Sequence, residues 1–192
     1  MAKTDELPPG FRDGLADHLT RFMSAENHSL PSGSLAQIWI GEAFQVWSVS
    51  LAELRNGAPL QLRARRTCVW HLQLRATADG PAVAFARCLL LNGGSELRSV
   101  HFSPLAGEID TAVQWIDENL PDDSWVVRFL EISDLQLPML WLSNGQEDRF
   151  RILLSREDRS RRGFRAEPLY SEAELLDRLS EVSPIPILSG GA

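Results

Sequence analysis

The sequence predicts an α+β fold, a mainly antiparallel sheet with an N-terminal helix, a central helix and a C-terminal helix packed on it. Three observations carry this expectation. Apolar residues recur with helical spacing in three separate stretches, near residues 11–22, 104–120 and 171–182. Between them lie short runs rich in β-branched and aromatic residues, several joined by Asn-Gly or Asp-Gly pairs that favour tight hairpins over crossovers. The chain has 192 residues, 44% hydrophobic and 23% charged, so about 70% of its unfolded surface can be buried without a disulfide or metal.

The elements are read in chain order. Phe11, Leu15, Leu19 and Phe22 alternate with Arg12, Asp13, Asp17 and Arg21, which predicts an amphipathic helix over 9–24. "NHSLPSGS" breaks that pattern, and "LAQIWIG" and "FQVWSVSL" read as two short strands. Asn56-Gly57 marks a turn, after which "LQLRAR" alternates as a half-exposed strand would. The runs around Trp70 and Phe85 form a hairpin turning near Asp79-Gly80. Pairing its bulky sets places Trp70, Leu72 and Leu74 beside Val83, Phe85 and Leu89, and leaves an alanine-lined face for a helix.

"LRSVHF" supplies a third strand of this group. Ser103 is placed to cap and Pro104 to open a central helix with the stripe Ile109, Val113, Ile116 and Leu120. "SWVVRFLEIS", "LPMLWLS" and "RFRILLS" are further strands, the last two joined by "NGQED"; Pro138 places its strand's start there or at a sheet edge. Ser171 and Glu174 have capping-box spacing ahead of Leu175, Leu176, Leu179 and Val182, which predicts the C-terminal helix. Residues 1–155 read as a single α+β domain, and 156–192 as a charged linker, that helix and an extended tail.

Composition excludes several chemistries. A net charge of −7 argues against a nucleic-acid-binding surface, and no apolar run approaches the roughly 20 residues of a membrane span. Two cysteines and the lack of a signal-peptide pattern point to the reducing cytoplasm. Beside eighteen arginines stands one lysine, Lys3, so Schiff-base, pyridoxal-phosphate, P-loop and kinase-type chemistries are not expected. Cys68, His71 and Cys88 lie close in sequence but have no zinc-ligand spacing, and alternation puts the two cysteines on opposite faces. They read as packed, reduced core residues. No nucleophile context such as G-x-S-x-G accompanies a histidine, and neither a cofactor nor a metal is expected.

Arginine in the strands is the anomaly. Arg87 shares a face with Val83, Phe85 and Leu89, Arg75 lies near the hairpin turn, and Arg128 interrupts the apolar run "WVVRFLEI". A partly buried arginine needs acceptors, either an internal carboxylate or the carboxylate or phosphate of a ligand. The hairpin "ADGPAVAFAR", with Trp70 ahead of it and "LTRF" in the preceding helix, resembles the hairpin of chorismate lyase and related ligand-binding domains of bacterial regulators. In that family an arginine lies on the strand before the turn and a glutamate on the last hairpin. Here the corresponding positions hold Leu72, Gln73 and "RFRILL". The resemblance implies a pocket for a small anionic aromatic compound, with Arg87, Trp70, Phe85 and Arg75 as candidate ligand-binding residues.

Two functions are expected from different classes. The first is a non-catalytic cytoplasmic factor that binds another protein, or itself, through the C-terminal helix and tail, where Ile185 and Ile187 alternate as strand-adding residues do. The second is the small anionic ligand pocket, with or without catalysis.

Overall fold

The computed structural model describes residues 3–4, 6–8, 11, 15, 18–19, 38–91, 94–120, 124–164 and 169–181. In chain order the elements are β1 (Trp39–Val49), α1 (Leu51–Leu54), α2 (Leu60–Arg63), β2 (Arg65–Arg75), β3 (Ala82–Leu91), β4 (Gly94–His101), α3 (Pro104–Asn119), β5 (Val126–Ile132), β6 (Leu137–Ser143), β7 (Asp148–Ile152), α4 (Arg156–Arg161), β8 (Tyr170–Ser171) and α5 (Glu172–Glu181). The strands form one eight-stranded sheet in the order β4-β3-β2-β1-β5-β6-β7-β8. Every pairing between these strands is antiparallel except β1 with β5, which run parallel from Val46↔Phe129 to Val49↔Ile132, and Lys3 adds an isolated parallel bridge to Val126. Two antiparallel meanders are thus fused side by side, and the expected α+β class with a mostly antiparallel sheet is what the chain adopts.

Alternation along β1 and β5 divides the core between the two faces. Phe44, Val46, Val127 and Phe129 pack with Ile109, Ala112 and Ile116 of α3 on one face. On the other, Leu130, Met139, Trp141 and Phe150 pack with Leu54, Leu60 and the Leu175 and Leu179 side chains of α5. Beyond them on that same face, Trp70, Leu72 and Leu74 meet Ala84, Ala86 and Cys88 beneath Phe11, Leu15 and Leu19. Helices therefore cover both faces. Phe11, Leu15 and Leu19 are helical and buried; the rest of the stripe expected over 9–24, Phe22 included, lies outside the described residues.

Several local expectations are corrected. "LAQIWIG" and "FQVWSVSL" contribute to one strand, β1, bent by register shifts after Ile40 and Gln45. "LQLRAR" does not form a strand: Leu60–Arg63 is a helical turn after Pro59, burying Leu60 and Arg63 three apart and leaving Leu62 exposed. Six residues with two alternating leucines satisfy either period, and Pro59 tips the choice towards a turn. In the hairpin the true partners are Trp70↔Cys88, Leu72↔Ala86 and Leu74↔Ala84. Large side chains oppose small ones, which leaves room for Phe11, 6.0 Å from the Trp70 ring. On α3 the buried positions are Ala106, Ile109, Ala112 and Ile116, and Ser103 Oγ makes no capping bond.

Phe164, Tyr170, Leu175 and Leu179 of the C-terminal segment are buried in the apolar cluster of the sheet. Ser171 accepts from the Glu174 amide while the Glu174 carboxylate accepts from the Ser171 amide at 2.7 Å, the reciprocal cap expected from the spacing. The stretch read as a charged linker contains α4, capped by Ser155 on Asp158. Described residues on both sides of 155 share one apolar cluster, from Val49 to Leu179.

Arg63 fastens this region. It is 7% exposed, and its guanidinium donates to the carbonyls of Glu53 and Leu54 at the end of α1 and to the Glu172 carboxylate at the start of α5. Removing a buried charge strands those acceptors. Arg63→Ala is expected to cost about 3 kcal/mol, read as a lower urea midpoint with an unchanged denaturant slope.

Candidate binding site

The face of β2, β3 and β4 on the α3 side carries two cross-strand rows. His71, Arg87 and Ser99 stand opposite one another, and Gln73, Phe85 and His101 form the next row. Period-two alternation and this register put all six side chains on one face. His71 packs against Phe129 at 4.5 Å and Phe85 at 5.2 Å, and His101 stacks on the far side of Phe85 at 4.8 Å. Ser99 Oγ and His101 Nε2 share a hydrogen bond of 2.7 Å.

Arg87 is the centre of this patch. It is exposed and has no hydrogen bond or ion pair among the described residues. Along β3 its face continues through Val83 and Leu91, which are 40% and 49% exposed. Glu96, opposite Leu89 on β4, is engaged with Arg98 at 3.0 Å. Burial, together with the positive charges of Arg87 and His101, pushes the His71 imidazole down from 6.5 to about 3. His71 is therefore a neutral ring whose buried Nδ1 has no hydrogen-bond partner.

The residues expected from the sequence are distributed differently. Arg87 and Phe85 share this face, as alternation required. Trp70 does not join them; it is 1% exposed on the opposite face, in the core beneath Phe11. Arg75 lines a cleft of about 450 Å³ with Glu42, Asp79, Asp110, Asp117 and Glu118, where its guanidinium bonds Asp110 at 2.6 Å and the Gly80 carbonyl at 2.5 Å. Surrounded by carboxylates, Arg75 is a poor anchor for an anion. Ile185 and Ile187 lie outside the described residues.

Cys88 is fully buried, and burial pushes its thiol up to about 12, so it is no nucleophile at neutral pH. Cys68 is exposed, not packed, and neither forms a disulfide. Cys68 has the parity of Trp70, which pairs with Cys88, so both cysteines belong to one face; His71 belongs to the other. Among the described residues no group of His, Cys, Asp and Glu is arranged to hold a metal ion. No described helix is long and apolar enough to cross a membrane.

Sequence reasoning passed over His71 and His101 as partners of Arg87. Only the β2–β3–β4 register brings them together, although the shared parity of Arg87 and Phe85 was legible. Comparison with models of protein families, with curated proteins and with solved structures gives no match in any of the three. The likeness to the chorismate lyase hairpin thus stands on local residues alone.

A depressed histidine gives the patch a pH signature. Unfolded His71 takes a proton below 6.5 whereas the folded ring resists until about 3, so stability falls as pH drops through that window. Between pH 7 and 5 the loss from this residue is about 2 kcal/mol. His71→Leu should flatten the dependence of the urea midpoint on pH over that interval.

Proposed function

We propose that the chain is a non-catalytic binding factor that holds another protein on the β3–β4 flank of its sheet. The partner presents an acidic group to Arg87 and apolar side chains to Val83 and Leu91. The observation that carries this reading is Arg87 itself, an exposed guanidinium with no counter-charge among the described residues, set in a row with His71 and Ser99 on a strand face that also carries the exposed Val83 and Leu91. Exposed Arg65 and Arg161 have Glu53 and Glu157 beside them, whereas Arg55 and Arg156, like Arg87, have no carboxylate partner among the described residues but lie outside this strand face. An unpaired cation among apolar residues contributes to recognition more than to folding, because charge complementarity sets which partner fits. The tail with Ile185 and Ile187 is a second proposed contact for the same partner.

A pocket for a small anionic ligand is the competing reading, and it uses the same Arg87. The partner's identity separates the two. Native mass spectrometry of the protein purified from its own host should show a stoichiometric heteromer. Arg87→Glu should weaken that complex about tenfold or more while shifting the unfolding free energy by no more than about 0.5 kcal/mol. Retention of the partner at wild-type occupancy by Arg87→Glu, or its loss only on deleting residues 184–192, would contradict the flank assignment. A small added mass lost with Arg87→Glu would transfer the site to the ligand reading.

A further inference from the structure

On the opposite face lies a second arrangement that owes nothing to the Arg87 patch. Arg128 stands in the corner of two perpendicular indoles. Its guanidinium carbon is 5.2 Å from the Trp47 ring and 4.7 Å from the Trp141 ring, and the rings themselves are 5.6 Å apart at 85°. Arg128 Nη1 is buried and has no hydrogen-bond partner. Trp47 Nε1, in the same corner, is also buried and unpartnered.

Several neighbouring polar groups are committed elsewhere. Trp141 Nε1 donates to Asp148 at 2.8 Å, Gln45 Nε2 donates to the Thr67 carbonyl at 2.7 Å, and Gln45 Oε1 accepts from Arg66 Nε. The corner lies in a polar seam, through Gln45, Arg66 and Arg128, that separates the two apolar clusters of this face. Arg128 and Trp47 are only half-buried, so a polar group approaching along the seam need not cross a core. Two unsatisfied N–H donors, one charged and one neutral, stacked against aromatic faces, match an acceptor with two oxygens and one negative charge.

We propose that Arg128 and Trp47 form a binding site for a carboxylate. The carboxylate belongs either to a free small acid or to an acidic side chain of a bound protein; the chemistry of capture is the same. The cation–π contacts hold the guanidinium without consuming its N–H groups, which keeps them available for the incoming oxygens.

The test is amide and indole NMR of the full chain titrated with sodium acetate, benzoate or a blocked glutamate dipeptide, against sodium chloride, benzamide and inorganic phosphate. The Trp47 indole N–H peak, identified by its loss in Trp47→Phe, should move with carboxylates and stay with chloride and benzamide. Acetate and benzoate acting alone would point to a small acid, and the dipeptide acting alone to a protein side chain. Arg128→Met keeps the stem against both indoles and should abolish the shift while leaving the protein folded. Trp47→Phe should weaken benzoate binding, followed at the Arg128 Nε–H, by about tenfold. A Trp47 peak that ignores all carboxylates, moves equally in Arg128→Met, or responds to phosphate as strongly as to carboxylate would overturn the assignment.

Discussion

The parallel pairing of β1 with β5 is the constraint on which the rest of the fold depends. Parallel neighbours cannot be joined by a tight turn, so the chain must leave β1, build β2, β3, β4 and α3, and return before β5 can form. That excursion produces one meander, and strands β6, β7 and β8 extend β5 into the other. Residues 46–49 meet 129–132 at the middle of the sheet, where strands are covered on both faces. Phe44, Val46, Val127 and Phe129 accordingly turn to α3 while Trp47, Arg128 and Leu130 turn away from it.

The same constraint explains where the sheet ends and which parts of it stay uncovered. Because β1 and β5 occupy the centre, β4 and β8 are the edges. β8 has only two residues, and β4 carries a bulge at Arg98 and the Glu96–Arg98 pair, devices that discourage edge-to-edge association. Helix α3 runs against β3, its Asp110 accepting from the Ala82 amide, yet Arg87 farther along that strand stays exposed. Arg128 lies in the seam between two separately packed clusters.

The features legible in the sequence were local. The Asp79-Gly80 and Asn144-Gly145 turns, the Ser171–Glu174 cap and the anomaly of Arg128 in an apolar run each depend on a few adjacent residues. Gly145 has φ +85, and Asn144 Oδ1 accepts from the amides of Gln146 and Glu147, as such a turn requires. Register was not legible, because alternation fixes which side chains of a strand share a face but not which face of its neighbour they join. The chain pairs Trp70 with Cys88 where bulk-to-bulk pairing was expected, and the decisive factor is Phe11, about sixty residues away in the chain, filling the space over the alanines. His71 joins Arg87 for the same reason, and the Trp47–Arg128–Trp141 corner needs the β1–β5 pairing before its members are neighbours.

The central claim is that the β3–β4 flank is the surface this protein offers to a partner. Hydrogen–deuterium exchange of the complex isolated from its host, compared with the protein alone, tests it most directly. The account predicts slowed exchange in residues 82–101 and little change across α5. Protection confined to α5 and the residues beyond it, with 82–101 unchanged, would contradict it.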